Sequence, residues 1–351
     1  MGLHHRREGQ VTEDSNPKLG PIFTSISGVE LDSEDRERLQ SEAVGGVVLF
    51  ADNCESAEQV SHLSKEIHDL RTPSLIIAID QEGGRVQRLK NGVTELPPQQ
   101  LFGALYDKEN DRGYDAAEIA GYLMASELRA LDVDISFSPV LDVATVDSDV
   151  IGNRSFHSDP HSVAILADSW TRGMQKAGMK AVGKHFPGHG GVAADSHVEV
   201  PEDNRTIEQL LNCDLIPYRR LGERLSAVMT AHVLYKEVTT AIPTYSSFWL
   251  EHVLREILAF YGPVFSDDLS MSGAAEAGDM ETRVMTALMS GCDFVLICQS
   301  SVETDKAIDA LLQNRELWKQ PGWQLDHLRP EEGQESNEIE QIREYFFELT
   351  S

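Results

Sequence analysis

Hydrophobic and polar residues alternate along this chain, so that short apolar runs are separated by longer amphipathic stretches. Runs of this length with β-branched residues are typical of buried strands. Eight of them occur, at PIFTSI (21–26), GGVVLF (45–50), SLIIAID (74–80), VDISFSPVLDV (133–143), MKAVGKHF (179–186), SAVMTAHVL (226–234), PVFSDDL (263–269) and CDFVLIC (292–298).

The stretches between the runs carry a helical period. Apolar residues recur every three or four positions in two clear cases, namely Val163, Leu166, Trp170, Met174 and Ala177, and Leu250, Val253, Leu254, Ile257 and Leu258. Gly178 and the pair Gly262-Pro263 are expected to end these helices. About eight strand–helix units without a break in composition predict an α/β fold, a single (β/α)8 barrel of the TIM type.

An open, doubly wound sheet is the alternative fold. It usually has a glycine-rich phosphate loop after its first strand. The segment after the first run here is ISGVELDSED, which is not such a loop. We therefore predict one barrel over residues 21–351 with a helical C-terminal tail, preceded by a polar, disordered extension over residues 1–20.

Net charge and cysteine content limit the kinds of partner that the protein can bind and the compartments in which it is expected. The formal net charge of −28 disfavours binding to nucleic acid, because phosphates would be repelled almost everywhere. We expect no signal peptide, because the first twenty residues have no apolar core; no apolar run reaches membrane length, and the four cysteines form no CxxC pair. We expect a cytoplasmic monomer that binds neither nucleic acid nor a membrane, in which local Arg and Lys capture any anionic substrate.

Polar clusters follow five of the predicted strands, at the ends where a barrel places its chemistry. They are DQEGGRVQR (80–88), LDVATVDSDVIGNRSFH (141–157), KHFPGHGGVAADSH (184–197), His232 and SDDLSM (266–271). A single charge at a loop end is usually only solvated. Five such clusters at one face of a barrel predict an active site.

Asp267 and Asp268 are adjacent on a predicted strand and so cannot both face the barrel mouth. Asp267 directly follows the apolar run, whereas Asp268 precedes a helix-like segment and is suited to accept backbone N–H groups. Cleavage of an acetal with retention needs a carboxylate nucleophile and a proton donor across the bond.

Asp195 and His197 are two residues apart in a glycine-rich stretch. A carboxylate that accepts the second imidazole proton fixes the tautomer and raises the pKa, as in acid/base dyads. A loop held by an Asx-type turn is the structural alternative. A zinc site on His185, His189, His197 and Asp267 is disfavoured, because Phe186-Pro187-Gly188 prevents the helix that would align two of the ligands.

Four of these segments carry a family resemblance. DQEGGRVQR, IGNRSFHSDP, GKHFPGHGGVAADSH and FSDDLSM resemble the signature segments of the family 3 glycoside hydrolases, in order from about residue 21 to 300. More narrowly, the chain resembles the bacterial cytosolic β-N-acetylglucosaminidases of cell-wall recycling.

This resemblance implies a role for each matching residue and no cofactor or metal. Asp267 would be the nucleophile that forms a covalent glycosyl-enzyme, and His197 would be the acid/base supported by Asp195. The sugar-binding residues would be Asp80, Arg88, Arg154, Lys184 and His185. The substrate would be N-acetylglucosaminyl-1,6-anhydromuramic acid with or without its peptide.

Two other functions stay open at this point. A histidine acid/base leaves less negative charge near the anomeric carbon than a glutamate would, so phosphate is a conceivable acceptor and a phosphorylase is the nearest rival. A carbohydrate-binding protein without catalysis is the rival from another class. The presence of Asp267 together with the Asp195/His197 pair argues against it, because binding needs no nucleophile.

Overall fold

The structure is a computed structural model that describes residues 19–194, 196, 200–318, 325–333 and 338–351. Strands are numbered here in chain order within these residues. They are β1 Ile22–Thr24, β2 Val44–Leu49, β3 Ile76–Ile79, β4 Gln81–Gly83, β5 Val86–Gln87, β6 Ile135–Ser136, β7 Lys180–Phe186, β8 Glu202–Asp203, β9 Ala227–Thr230, β10 Leu234–Tyr235, β11 Val264–Asp268 and β12 Phe294–Ile297.

Eight of these strands close into a parallel barrel in the order β1, β2, β3, β6, β7, β9, β11 and β12, with β12 pairing back to β1. Each barrel strand is adjacent to the next one along the chain, which is the arrangement of a (β/α)8 barrel. The predicted fold class is therefore confirmed, and the open-sheet alternative is wrong. Two small sheets lie outside the barrel, an antiparallel pair β4–β5 and a parallel pair β8–β10.

Helices occupy the intervals between the strands. They are α1 Ser33–Leu39, α2 Ala57–Asp69, α3 Gln100–Lys108, α4 Asn110–Arg129, α5 Pro160–Lys176, α6 Ile207–Leu211, α7 Leu215–Leu221, α8 Met280–Ser290, α9 Ser301–Gln313 and α10 Ile339–Thr350, with a π-helix over Phe248–Ile257. In the part of the chain that is described, none of the helices combines the length and the apolar character needed to cross a bilayer.

The two helices expected from periodicity are both present. In α5 the carboxylate of Asp159 caps the first turn by accepting from the Ser162 N–H, and Gly178 follows the helix at a φ of +78°. The second is the π-helix, whose wider turn is closed by the Leu258 N–H to the Val253 carbonyl at 3.0 Å. Its last residue, Ile257, is 40% exposed, although the pattern places it on the buried face.

The core has two layers, as strand alternation requires. In β3, Ile76 and Ala78 lie in the barrel interior, and Ile77 and Ile79 pack with the residues beneath the helices. Phe23, Phe137 and Phe294 each lie 5.0–5.4 Å from the Phe265 ring, centroid to centroid. The barrel is thus filled with packed rings, and the space for a ligand lies above this layer.

The two ends of the chain differ in what can be described. Residues 1–18 lie outside the described residues, so the expected N-terminal extension stays a prediction. At the other end α10 lies beside α4, where Arg343 donates to the Glu127 carboxylate at 2.7 Å. A helix is therefore present in the segment for which a helical tail is expected.

Candidate active site

A cavity of about 300 Å³ opens at the carboxyl ends of the barrel strands. Six of the predicted site residues line it together, namely Asp80, Arg88, Arg154, Lys184, His185 and Asp267. They come from segments that follow or end β3, β6, β7 and β11, which are far apart in sequence. The other two predicted residues, Asp195 and His197, lie outside the described residues, so their placement stays a prediction.

One wall of the cavity belongs to a network of buried and half-buried cations and carboxylates. The Lys184 ammonium lies 2.7 Å from Asp80 and 2.6 Å from Glu82, and its side chain is only 2% exposed. The Arg88 guanidinium donates to the second oxygen of Asp80 at 3.1 Å. Paired charges of this kind can stay ionised while buried, so they can also present hydrogen-bond donors to a ligand.

Arg154 joins the same network through a two-pronged contact with Glu82. Its Nε and Nη2 atoms donate to the two carboxylate oxygens at 2.8 and 2.7 Å. Glu82 is therefore shared by Arg154 and Lys184, and its side chain is 1% exposed. This geometry fixes the guanidinium plane beside the cavity, as bidentate arginine–carboxylate pairs do.

The pKa values of the two carboxyls show the strength of this coupling. Burial favours the neutral acid, but Lys184 and Arg88 hold the pKa of Asp80 well below its usual value. Burial acts in the same direction on Glu82, and Arg154 and Lys184 outweigh it, lowering its pKa to about 2. Both carboxylates are therefore ionised at neutral pH, and both can accept hydrogen bonds.

His185 is oriented by the fully buried carboxylate of Asp142. Its Nδ1 lies 2.7 Å from one Asp142 oxygen, and the backbone N–H groups of His185 and His189 donate to the other at 3.3 and 2.6 Å. Burial raises the pKa of Asp142, but His185 and His189 lower it to about 2 overall. The ionised carboxylate keeps a proton on Nδ1, so a ligand in the cavity would meet Nε2.

Asp267 and Asp268 both border the cavity, so the expectation that only one of them could face the barrel mouth is wrong, but their environments differ. The Asp268 carboxylate accepts from the backbone N–H groups of Ser270 at 2.9 Å and Cys298 at 3.1 Å. It therefore braces the ends of β11 and β12, as expected from the sequence. The Asp267 carboxylate accepts from the Asp268 N–H at 2.8 Å. Burial, with Asp267 adding to it, raises the pKa of Asp268 to about 6.

Sequence reasoning missed two residues of this site, Glu82 and Asp142. Glu82 follows Asp80 by two positions, and strand alternation places such residues on one side, which is a signal that could have found it. Asp142 directly follows the apolar run of the fourth strand, in the position where a barrel carries functional groups. Their partners, Lys184 and His185, lie about a hundred and about forty residues away, so the contacts themselves are invisible in the sequence.

No group of three or more His, Cys, Asp or Glu side chains in the described ranges is arranged to hold a metal ion. Of the imagined zinc ligands, His185 bonds to Asp142 and the His189 Nε2 lies 3.2 Å from the Ser196 hydroxyl. The position of His197 lies outside the described residues, so the structure does not test the full set.

This site combines paired cations, hydrogen-bonding carboxylates and the adjacent pair Asp267 and Asp268, on the catalytic face of a (β/α)8 barrel. That combination suits an enzyme acting on a polyhydroxylated substrate. The family described as "Glycosyl hydrolase family 3 N terminal domain" matches residues 18–321. The chain belongs to glycosyl hydrolase family 3, so the resemblance seen in the motifs is confirmed and the protein is a glycoside hydrolase.

Named relatives are similar over most of the chain. A protein called beta-hexosaminidase from Alkalilimnicola ehrlichii is 48% identical over 297 residues, 84% of each chain. A crystal structure of NagZ from Neisseria gonorrhoeae with N-trifluoroacetyl-D-glucosamine has a TM-score of 0.87 and 37% identity, covering 96% of this chain and 99% of that one. A structure of the same gonococcal protein in complex with zinc ion has a TM-score of 0.86.

A more distant structure extends the comparison. A family 3 β-N-acetylglucosaminidase from Paenibacillus sp. has a TM-score of 0.83 and 31% identity, covering 96% of this chain and 68% of that one. Proteins whose names refer to activity on hexosaminides are therefore similar to this chain in both sequence and fold.

Proposed function

We propose that this protein is a retaining exo-β-N-acetylglucosaminidase in which Asp267 is the nucleophile. The observation that carries the proposal is the difference in environment between the two adjacent carboxylates. Both border the cavity, but Asp268 is buried and accepts from backbone N–H groups at the ends of β11 and β12, whereas Asp267 is only partly buried. A retaining mechanism needs one carboxylate so placed to attack the anomeric carbon.

The cation network that shares this cavity with Asp267 is suited to a neutral polyol. Asp80 provides an ionised acceptor, while Lys184, Arg88 and Arg154 provide donors that are held by Asp80 and by the buried Glu82 behind them. Sugar hydroxyls both donate and accept, so they can bond to either kind of group without bringing a charge of their own. The volume of about 300 Å³ is at the small end for ligand pockets, which supports recognition of one terminal sugar.

The acid/base is proposed from the sequence. His197, supported by Asp195, would protonate the leaving oxygen and then activate the water that releases the sugar from Asp267. Support comes from the family membership, since these two residues fall in the segment that resembles the family signature. The fixed His185–Asp142 pair is instead assigned to binding, because His185 neighbours the cations that surround the sugar.

The proposed natural substrate is N-acetylglucosaminyl-1,6-anhydromuramic acid, with or without its peptide, in peptidoglycan recycling within the cytoplasm. The named β-hexosaminidases and the NagZ structure with an N-acylated glucosamine support this class of substrate. No cofactor or metal takes part, and the protein acts as a monomer on small muropeptide fragments. The acidic surface, with a net charge of −28, is consistent with a solvated protein that binds no nucleic acid.

A phosphorylase is kept as the second candidate because the cavity is lined by four cationic residues, Arg85, Arg88, Arg154 and Lys184. Such a field could admit an anionic acceptor in place of water. The two reactions differ in their product, which is N-acetylglucosamine in one case and its 1-phosphate in the other.

One assay separates these functions. Release of nitrophenol from the aryl N-acetyl-β-glucosaminide and from the aryl β-glucoside would be measured with and without EDTA, zinc and phosphate. We expect strong preference for the N-acetylated sugar, free N-acetylglucosamine as product, and full activity after exhaustive chelation.

Two outcomes would contradict the proposal. Formation of sugar 1-phosphate at a rate that rises with phosphate would identify a phosphorylase. Activity that is lost in EDTA and restored by zinc would identify a metal-dependent hydrolase. The zinc site on His185, His189 and His197 would then be favoured.

A further inference from the structure

Ser196 lies between Asp195 and His197 in sequence and is 2% exposed. Its carbonyl accepts from the Gly273 N–H at 2.8 Å, and its hydroxyl lies 3.2 Å from the His189 Nε2 atom. A small polar residue with two contacts of this kind is anchored on both its backbone and its side chain. Ser196 is therefore fixed relative to two other parts of the site.

The first anchor leads to the strand that carries the proposed nucleophile. Gly273 lies six residues after Asp267, in the turn that follows β11. A Cβ atom at this position would lie 2.8 Å from the Ser196 carbonyl oxygen and 3.0 Å from the His232 Cβ. The close approach of the two backbones therefore depends on the missing side chain at position 273.

The second anchor leads to the sugar-binding wall. His189 donates its backbone N–H to Asp142 at 2.6 Å, and the same carboxylate orients His185. Burial lowers the pKa of His189, so its ring is neutral and can share one hydrogen bond with the Ser196 hydroxyl. One chain of contacts thus joins His185, Asp142, His189 and Ser196.

We propose that Ser196 is a positioning residue for the acid/base, held by Gly273 on one side and His189 on the other. Because Ser196 is joined directly to His197 in the chain, the position of Ser196 affects the proposed acid/base. The two anchors set that position relative to the nucleophile strand and the sugar-binding wall. The inference rests on the proposed role of His197.

The test uses two variants, each of which disturbs a different anchor of Ser196. Ser196→Ala removes the hydroxyl that meets His189, and Gly273→Ala inserts a methyl group against the Ser196 carbonyl. Each variant would be assayed on an activated aryl glycoside, which leaves without a proton, and on a disaccharide, which needs one. The rate of labelling by a fluoro-sugar reports nucleophile attack separately.

A misplaced acid should matter only where the leaving group needs a proton. For the disaccharide we expect kcat/KM to fall about 3- to 10-fold in Ser196→Ala, the loss of about one hydrogen bond, and about 10- to 100-fold in Gly273→Ala. Cleavage of the aryl glycoside and the labelling rate should change less than about threefold. The acid limb and the base limb of the pH profile should shift for the disaccharide only.

Matched controls are Ser169→Ala, a buried serine of α5, and Gly28→Ala, at a glycine with no atom within 4 Å of the added carbon. Both should leave the ratio of the two rates unchanged. Equal losses on the two substrates in Ser196→Ala and Gly273→Ala, or no loss in either, would overturn the inference.

His197→Ala measured alongside separates this failure from a failure of the proposed function. If His197→Ala shows the dependence on leaving group and the two anchor variants do not, only the positioning role is wrong. If His197→Ala shows no such dependence, the acid/base assignment fails and the inference fails with it.

Discussion

Replacing Glu82 by glutamine tests the cation network of the cavity. Glutamine keeps the shape of the side chain but removes the charge shared by Lys184 and Arg154. Those two side chains are 2% and 12% exposed, so water cannot easily replace the lost carboxylate. The amide also turns an N–H₂ group toward cations that need an acceptor.

The expected loss of stability follows from this burial. Removing one partner of a buried ion pair costs about 3–5 kcal/mol. Lys184 keeps Asp80, and Arg154 keeps the Val150 carbonyl at 3.2 Å, so we expect the lower end, about 3 kcal/mol. With about 2.1 cal/mol/K per residue over 351 residues, this lowers the Tm by about 4 °C.

Activity should fall further than stability alone explains. Lys184 and Arg154 would no longer be held at the positions from which, in the proposed function, they donate to the sugar. The loss of alignment of one charge-assisted hydrogen bond corresponds to about a 10- to 100-fold lower kcat/KM on the aryl N-acetylglucosaminide. Scanning calorimetry and steady-state kinetics on the same preparation would measure both effects.

Asp35→Asn is the matched control for this variant. Asp35 is 1% exposed and lies 3.3 Å from Arg38, away from the residues that line the cavity. This change should lower the Tm while leaving kcat/KM unaltered. A Glu82→Gln variant with wild-type Tm and wild-type kcat/KM would refute the argument that Glu82 holds the two cations in place.

Three further predictions concern other parts of the molecule. His197→Ala should slow disaccharide cleavage by about 10²- to 10⁴-fold and activated aryl glycosides much less; equal losses would indicate a structural role. Since burial raises the pKa of Asp268 from 3.8 to about 6, ionising it costs the folded protein about 3 kcal/mol as the pH rises from 4 to 7. The free energy of unfolding of Asp268→Asn, relative to that of the wild type, should therefore increase as the pH rises from 4 to 7. A difference that stays constant would contradict this. Because the net charge is −28, raising KCl from about 0.05 to 1 M should increase the Tm by several degrees; a flat response would show that self-repulsion is unimportant.

The sequence predicted the barrel well because each strand and helix has its own local pattern. Seven of the eight apolar runs contain a barrel strand, the eighth overlaps β2, which begins one residue earlier, and the rule that chemistry lies at strand ends located the cavity. Ile257 shows the limit of that reasoning, because its helical period places it inside and the structure leaves it 40% exposed at the end of a π-helix. A mean period cannot predict such a local change of helix type.

Contacts between segments that are far apart in the chain could not be predicted from the sequence. Glu82 and Lys184 meet only because β3 and β7 end at the same face, and no local pattern reports their separation of 2.6 Å. The same holds for Asp142 with His185, and for Ser196 with Gly273. The bracing role of Asp268 was predictable from the helix-like segment that follows it, but strand alternation wrongly kept one of the two carboxylates from the cavity, because β11 carries a register shift between Phe265 and Asp268.

The central claim is that Asp267 forms a covalent bond with the sugar. Incubation with a 5-fluoro derivative of an N-acetylglucosaminyl fluoride should slow release of the sugar and leave it attached to the enzyme, for peptide mapping by mass spectrometry. We predict the label on Asp267, its absence in Asp267→Asn, its persistence in Asp268→Asn, and a first-formed product of retained β-configuration by NMR. A label on Asp268, or inversion at the anomeric carbon, would contradict the account.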